Sequence, residues 1–420
     1  MCGISGYFSP SGKFRNESLQ RMHGCLHHRG PDAEGFFEDE LCGLAHRRLA
    51  IIDLDQRSNQ PFYSENRNLV MVYNGEVYNY PEVASTLKLH NLKTCGDTEV
   101  ILRGFEQEGL SIVNHLNGMF AIAIYDQTLK ELILIRDRIG IKPVYYYWDG
   151  KDFAFASELK SLMKLQVKKE INHAAISYFL STGFIPAPHS IYKNIFKLES
   201  GHSLKVSAKG IETFPYWNAA EKILPHTFDN ETESFNQLEQ LLFSSIEWQL
   251  RSDVPVGIFL SGGIDSSIVA TIASKLNKNK TATYSIGFDE SSHDESIYAR
   301  EVANLLKTEH HEFNVSYKDG LELITRLPHV YDEPFGDSSA IPTQLVSKMA
   351  AQHVKVVLSG DGGDELFFGY GAYKWAERLN HPLMKMLHNP IAAMFRKMPL
   401  RYQRISRLLQ YTGVQAKPEH

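Results

Sequence analysis

A cysteine follows the initiator methionine, in the run Met1-Cys2-Gly3-Ile4-Ser5-Gly6. Aminopeptidases remove an initiator methionine ahead of a small side chain. Removal here would leave a thiol and a free α-amine on one residue. An α-amine has an unperturbed pKa of about 7.7–8.0, so part of it is a neutral base near pH 7. It can take the proton of its own thiol, directly or through one water, without a histidine. Cys2 is therefore a candidate N-terminal nucleophile for amide hydrolysis. A cysteine considered alone is more often a small buried hydrophobe, so the weight falls on the other polar residues of the chain.

Four polar strings accompany it in the first hundred residues: His28-Arg29-Gly30-Pro31-Asp32, His46-Arg47-Arg48-Leu49, Asn74-Gly75-Glu76-Val77-Tyr78-Asn79 and Gly96-Asp97-Thr98-Glu99. A site for a free amino acid needs a cation for the carboxylate and an anion for the ammonium, and Arg48 and Asp97 supply that pair. Amide hydrolysis also needs donors for the oxyanion, a task suited to the Asn74 side chain and the Gly75 N–H. Asn-Gly is equally the signature of a type I′ hairpin turn, and Asp97 could cap a helix.

The second half carries two glycine-rich loops. The first is Ser261-Gly262-Gly263-Ile264-Asp265-Ser266-Ser267, directly after the apolar run Val256–Leu260. Adjacent glycines allow a tight turn with consecutive N–H groups exposed. The serine hydroxyls and a helix N-terminus complete an anion cradle. It lacks the lysine of a Walker loop. Asp265 would repel phosphate unless a divalent cation lies between, so Asp265 is a candidate Mg²⁺ ligand. The second loop, Ser359-Gly360-Asp361-Gly362-Gly363-Asp364-Glu365, follows Lys355–Leu358. Carboxylates from the two loops could share Mg²⁺ on one pyrophosphate. Asp332-Glu333-Pro334 and Asp337-Ser338-Ser339 form a further polar cluster, for an acceptor substrate or, at Asp337–Ser339, a helix cap.

These residues need scaffolds. The chain has 420 residues, enough for two or three domains. Its 43% hydrophobic and 22% charged fractions are those of an ordinary globular protein. A net charge of -5 offers no basic surface, so no nucleic-acid partner is expected. The four cysteines (Cys2, Cys25, Cys42, Cys95) fit neither a zinc site nor a disulfide framework. No secretory signal and no membrane span is visible, so the cytoplasm is the expected compartment.

In the first half, short apolar runs at Leu69–Tyr73, Phe120–Tyr125, Glu131–Ile135, Val144–Trp148 and Phe153–Ala156 predict strands. Helical patterns lie near Pro81–Leu89 and Thr98–Glu108. Strands with few helices predict a layered α+β domain with antiparallel sheets. The polar stretch Pro215–Glu233 reads as a linker. Beyond it strand and helix alternate: Val256–Leu260, Ser266–Leu276, Thr283–Phe288, Glu295–Leu306 and Lys355–Leu358. That predicts a doubly wound parallel sheet, with ligands at the carboxyl ends of its strands.

Taken together and in order, Cys2-Gly3-Ile4, Arg29–Asp32, Arg48–Leu49, Asn74–Glu76, Asp97, Ser261–Ser267 and Ser359–Glu365 resemble the glutamine-hydrolysing asparagine synthetases over nearly the whole chain. The resemblance implies an αββα sandwich of the N-terminal nucleophile (Ntn) hydrolase type at 2–214, followed by an α/β ATP-pyrophosphatase domain at 235–420. It implies conversion of aspartate, glutamine and ATP to asparagine, glutamate, AMP and pyrophosphate. Carried over by motif, the Cys2 thiolate attacks glutamine, Arg48 binds its carboxylate, Glu76 and Asp97 surround its ammonium, and Asn74 with Gly75 holds the oxyanion. Ammonia crosses an internal channel. Ser261, Gly262, Gly263 and Ser266 hold the pyrophosphate end of ATP, with Asp265 and Asp364 on Mg²⁺. Phe259, Ile286, Ser359 and Gly360 line the adenylate site. Cleavage between the α- and β-phosphates accounts for the missing Walker lysine.

Two departures stand out. Asp361 occupies a position tied to the acyl-adenylate, where the best-known members carry glutamate. The chain also stops at His420, short of the usual family length, and its basic residues Arg396, Lys397, Arg401, Arg404 and Arg407 match no family motif. The second domain is therefore expected to be C-terminally incomplete. The motifs specify adenylation but not the acceptor, so a sugar acid of surface-polysaccharide synthesis stands beside aspartate as an alternative. A non-catalytic scaffold is a third reading, and it predicts eroded site residues. A homodimer is the expected assembly, if the chain assembles at all.

Overall fold

The computed structural model describes residues 1–222, 230–277, 279–288 and 294–380. The basic tail from Arg396 to Arg407, and part of the expected linker, lie outside them. The first half supplies β1 (Gly3–Phe8), β2 (Ala33–Glu38), β3 (Cys42–Arg48), β4 (Phe62–Tyr63), β5 (Leu69–Val77) and β6 (Gly118–Asp126). It continues with β7 (Glu131–Arg136), β8 (Tyr145–Trp148), β9 (Phe153–Ala156), β10 (Ile195–Lys197), β11 (His202–Ser207) and β12 (Gly210–Pro215). Two six-stranded antiparallel sheets result, in the orders β10-β8-β9-β1-β3-β2 and β12-β11-β7-β6-β5-β4.

Three apolar clusters place the sheets in layers. Ile4, Phe8, Leu44, Val70, Val72, Ala123 and Phe155 pack between the sheets. Leu69, Met71, Tyr73 and Ile122 face the helices Tyr80–Thr86 and Asp97–Glu108. Tyr7, Ala45 and Ala156 face the helices Asn16–Gly24 and Leu159–Leu162. This is the expected αββα sandwich. Each sheet is covered on both faces, so β1 and β5 read as nearly unbroken buried runs instead of alternating ones.

The turn reading of Asn74-Gly75 is excluded. The β5–β6 ladder runs through it, with Asn74 opposite Ala121, Gly75 opposite Phe120 and Glu76 opposite Met119. A Cβ on Gly75 would come within 2.7 Å of both Phe120 Cα and the Tyr73 ring, so close packing demands glycine in mid-strand here.

The second half builds a parallel sheet from β13 (Val256–Phe259), β14 (Ala282–Phe288), β15 (Glu309–Val315) and β16 (Val356–Leu358), in the order β15-β14-β13-β16. Helices Glu231–Gln249, Ile264–Leu276 and Ser296–Leu306 cover one face, and Ala340–Ala350 covers the other. The chain leaves β13 toward β14 and β15, then returns to β13's other side as β16. The strand order therefore reverses at β13/β16, the crevice where open α/β sheets bind ligands. Both glycine-rich loops leave strands at this point.

Candidate active sites

β1 and β3 are antiparallel neighbours, with Gly3 opposite Arg47. That pairing brings Cys2 beside the end of β3, where its Sγ lies 3.4 Å from the Leu49 N–H and 3.7 Å from the Leu49 carbonyl. The adjacent β5 contributes Asn74, Gly75 and Glu76, and the start of helix Asp97–Glu108 contributes Asp97. All of these line one cavity of about 500 Å³, together with Met1, Arg48, Tyr73, Gln60 and Lys142. The sequence-derived set for the first half thus converges on one place.

Its polar groups are unusual. Asn74 is fully buried, and among the described residues neither its Oδ1 nor its Nδ2 has a hydrogen-bond partner. A buried amide left unpaired costs free energy, and such an orphan calls for a ligand. Its place beside Cys2 suits an oxyanion donor. Burial, reinforced by the Asp97 charge, lifts the Glu76 carboxyl to about 8. Burial, with Arg29 nearby, lowers the Lys142 ammonium to about 8. The terminal amine falls to about 6, chiefly through burial. Burial raises the Cys2 thiol. In the unprocessed chain that amine belongs to Met1, whose Sδ sits 3.3 Å from Lys142 Nζ.

Arg48 does more than line the cavity. Its guanidinium donates to the Asp55, Ile52 and Asp53 carbonyls and to Asn59 Oδ1. It therefore shapes the loop from Ile52 to Asn59. Asp97 is buried and accepts from the Tyr73 hydroxyl at 2.7 Å and the Val77 N–H at 2.9 Å.

In the second half, Gly262 takes φ +81°, which admits little but glycine, and the loop feeds the helix Ile264–Leu276. Ser261 Oγ and Ser266 Oγ lie 2.9 Å apart, and Ser261 Oγ accepts the Gly263 N–H at 3.2 Å. The second loop abuts the first. A Cβ on Gly360 would come within 2.7 Å of Ser266 N, and one on Gly363 would overlap the Asp265 carboxylate. The two acidic loops meet, as their sequence suggested. Among the described residues no group of three or more His, Cys, Asp or Glu side chains is placed to hold a metal ion. Asp361 is exposed and accepts from Ser359 Oγ at 2.9 Å. Ile286 packs against the helix Ala340–Ala350 side of the sheet, and Phe259, at the end of β13, reaches the first-half cavity.

That cavity is closed on its far side by the second half: Phe259, Ser347, Ala350, Ala351 and Val354–Val357. The halves are joined by polar contacts around it. Arg251 forks onto Glu82 at 2.8 and 2.6 Å, the Asp253 carboxylate accepts the Asp53 N–H at 2.8 Å, and Lys355 pairs with Asp32 at 2.8 Å.

The Asp332-Glu333 pair serves this interface, which corrects its assignment to an acceptor substrate. Asp332 accepts the Leu159 N–H at 2.6 Å and pairs with Lys160 at 3.2 Å. Glu333 accepts the Ile191 N–H and pairs with Lys197. Both carboxylates are engaged by the first half, although Asp332 Oδ1 has the Lys160 ion pair and no hydrogen bond. Asp337 Oδ1 accepts the Ser339 N–H in a turn ahead of the helix Ala340–Ala350, whose N-cap Ser339 makes no side-chain capping bond.

Sequence reasoning assigned no role to Lys142, Arg29 or Glu158. Arg29 Nε donates to the Cys2 carbonyl at 2.8 Å and Nη1 to Glu158 at 2.9 Å, which fixes the backbone of Cys2. Glu158, whose acidity is strengthened by His28 and Arg29, also meets Lys160 at 3.1 Å. Arg29 stood in a polar string that carried the signal. Glu158 and Lys142 had none beyond being charges in apolar surroundings.

Residues 1–217 match the glutamine amidotransferase domain family, and residues 237–417 match the asparagine synthase family. A Methanocaldococcus jannaschii protein named "Putative asparagine synthetase (glutamine-hydrolyzing) 2" is 40% identical over 88% of this chain and 76% of its own. Bacillus subtilis asparagine synthetase (glutamine-hydrolyzing) 1 is 35% identical over 94% of this chain and 64% of its own length. A Mycobacterium bovis protein with a similar name is 32% identical over 89% of this chain and 61% of its own. The chain thus spans under two thirds of the length of the latter two.

Proposed function

We propose that this chain, which belongs to the glutamine-hydrolysing asparagine synthetase family, hydrolyses glutamine at Cys2 and passes the ammonia to an ATP-activated aspartate, yielding asparagine, AMP and pyrophosphate. Residues 2–214 are the glutaminase and 235–420 the synthetase portion. The observation that carries this reading is the single cavity that holds Cys2 beside the unpaired Asn74 amide and is walled by the other half.

Once Met1 is removed, the Cys2 amine takes the thiol proton. An α-amine has an unperturbed pKa of about 7.7–8.0, and burial in this cavity would lower it further, which favours the neutral base at pH 7. The thiolate attacks the glutamine side-chain carbonyl, whose oxygen takes the negative charge beside Asn74 Nδ2 and the Gly75 N–H. Collapse breaks the C–N bond. The leaving nitrogen takes the proton held on the amine and departs as ammonia, leaving a γ-glutamyl thioester. Water cleaves the thioester to glutamate and regenerates the thiol. Arg48 would meet the glutamine carboxylate, and Glu76 and Asp97 its ammonium.

Ammonia leaves along the wall formed by Phe259, Ala350, Ala351, Val354, Val356 and Val357. Apolar walls disfavour ammonium, so they keep ammonia neutral and nucleophilic. At the far end the Ser261–Ser266 loop would hold the β- and γ-phosphates on its N–H groups and the helix N-terminus. Ile286, Ser359 and Gly360 would border the adenylate. The Asp265 carboxylate against the second loop fits a Mg²⁺ ligand, with Asp364 as its partner. The ion would neutralise the departing pyrophosphate. Aspartate attacks the α-phosphorus, pyrophosphate leaves, and ammonia displaces AMP from the acyl group, with Asp361 near the acyl-adenylate.

The test measures glutamate release from glutamine for wild type and Cys2→Ala, with and without ATP plus aspartate. Loss in Cys2→Ala by a thousandfold or more is expected, with stimulation of wild type by ATP plus aspartate. Pyrophosphate release with a uronic acid and none with aspartate would overturn the choice of acceptor.

A further inference from the structure

Tyr73 is used by nothing in the mechanism above, yet it is pinned at three points. Its backbone N–H donates to Gln60 Oε1 at 2.6 Å, its carbonyl accepts from His46 Nε2 at 3.0 Å, and its hydroxyl donates to Asp97 Oδ2 at 2.7 Å. The ring is buried, on the cavity wall. The Val77 N–H donates to the same Asp97 oxygen. Oδ2 therefore takes two donors, while among the described residues Oδ1 takes a long 3.5 Å contact from Thr98 Oγ1, and the backbone N–H groups at the helix start add to the support of the charged carboxylate.

We propose that Tyr73 is a positioning residue for the α-ammonium group of glutamine, acting through Asp97 by fixing its carboxylate so that Oδ1 is left to the ligand. The inference rests on the reading of this cavity as the glutamine site. A carboxylate free to rotate would lose part of its ammonium contact at each turn. One locked by two donors presents the same oxygen to every ligand molecule. Burial pushes the Asp97 carboxyl upward, and the Val77 N–H and Tyr73 hydroxyl pull the other way, so the same bond favours the charged form. His46 and Gln60 hold the tyrosine itself, so that it cannot follow Asp97 into another arrangement.

The experiment compares wild type and Tyr73→Phe on two substrates: glutamine, and 4-carbamoylbutanoate, which keeps glutamine's carboxylate and amide but lacks the α-amine. Phenylalanine preserves the ring, so buried volume is unchanged. For glutamine, KM is expected to rise about tenfold or more, the loss of one hydrogen bond to a charged group, with kcat within about twofold. For 4-carbamoylbutanoate the two proteins should share one KM. An equal penalty on both substrates, or a loss confined to kcat, would overturn the proposal and make Tyr73 a structural residue only. Unchanged glutamine kinetics would overturn it too, while leaving the glutaminase reading intact. A wild type that releases no glutamate would overturn that reading and this one with it.

Discussion

The two halves of this chain hold their chemistry in opposite ways. In the first, Cys2, Arg48, Asn74, Glu76 and Asp97 are drawn together inside a sandwich covered on both sides, and burial moves the terminal amine, Glu76 and Lys142 far from their ordinary pKa values. In the second, Ser261, Gly263 and Asp361 are exposed at a sheet edge, beside Ile264 at 78% and Leu366 at 73% exposure. A nucleophile that must attack a neutral amide needs groups whose proton affinities are set in advance, and burial with neighbouring charges does that here. A pyrophosphate brings its own charge and its own cation, so a flexible glycine loop with N–H groups suffices. The first site is preorganised by the fold. The second, among the described residues, is a pair of exposed glycine-rich loops.

That contrast can be broken by one pair of variants. Asp265→Ala should lower ATP- and aspartate-dependent pyrophosphate release about a hundredfold, because it removes the proposed metal ligand at the edge where the loops meet. Basal glutamate release should stay within about twofold, since Asp265 is not among the residues that line the Cys2 cavity. Cys2→Ala should do the reverse, with pyrophosphate release kept when ammonia replaces glutamine. If Asp265→Ala also abolished basal glutamate release, the first site would depend on the second, and the claim of independent preorganisation would be wrong.

A smaller effect follows from Glu76. A carboxyl lifted to about 8 is mostly neutral at pH 7 and ionises as pH passes 8. The glutamine ammonium prefers the anion, so KM for glutamine should fall several-fold from pH 7 to 8.5. Glu76→Gln should flatten that limb and leave the pH dependence of pyrophosphate release with free ammonia unchanged. Kinetics of glutamate release across this range decide it. A wild-type KM that worsens with rising pH would show the carboxyl is not the titrating group.

What was legible in the sequence divides along the same line. Local signals were read well. The loops after Val256–Phe259 and Val356–Leu358 sit at the β13/β16 crevice because strand–turn–helix grammar is short-range. The first-half set of Cys2, Arg48, Asn74 and Asp97 was assembled by asking what an amino-acid site needs, and the sandwich does bring it together. Long-range pairing was not legible. Arg29 reaches Glu158 across 129 residues, and Leu159 reaches Asp332 across 173. Nothing near Asp332-Glu333 says that its partners lie in the other half, so a cluster of carboxylates looked like a substrate site. Asn74-Gly75 misleads in isolation for a related reason. Its turn propensity is overridden by a nine-residue ladder with β6.

The smallest effect tests how firmly the halves are held together. Arg251 donates through Nη1 and Nη2 to both oxygens of Glu82 and also to the Tyr78 carbonyl at 2.8 Å, which makes it the fork-shaped contact of the interface. The Glu82 side chain is 47% exposed, so solvent screens the pair, and a coupling of about 0.5 kcal/mol is expected from exposed ion pairs. A double-mutant cycle with Arg251→Ala and Glu82→Ala, read by chemical denaturation, should return that value and lose it in high salt. Fidelity of transfer is the sharper readout. If this contact keeps the Phe259–Val357 wall sealed, Arg251→Ala should raise glutamate formed per pyrophosphate above the wild-type ratio, because ammonia escapes before it is used. An unchanged ratio would assign the seal to the apolar wall and the Asp253, Lys355 and Asp332 contacts, and would leave Arg251 as an adhesive of the two halves with no part in coupling them.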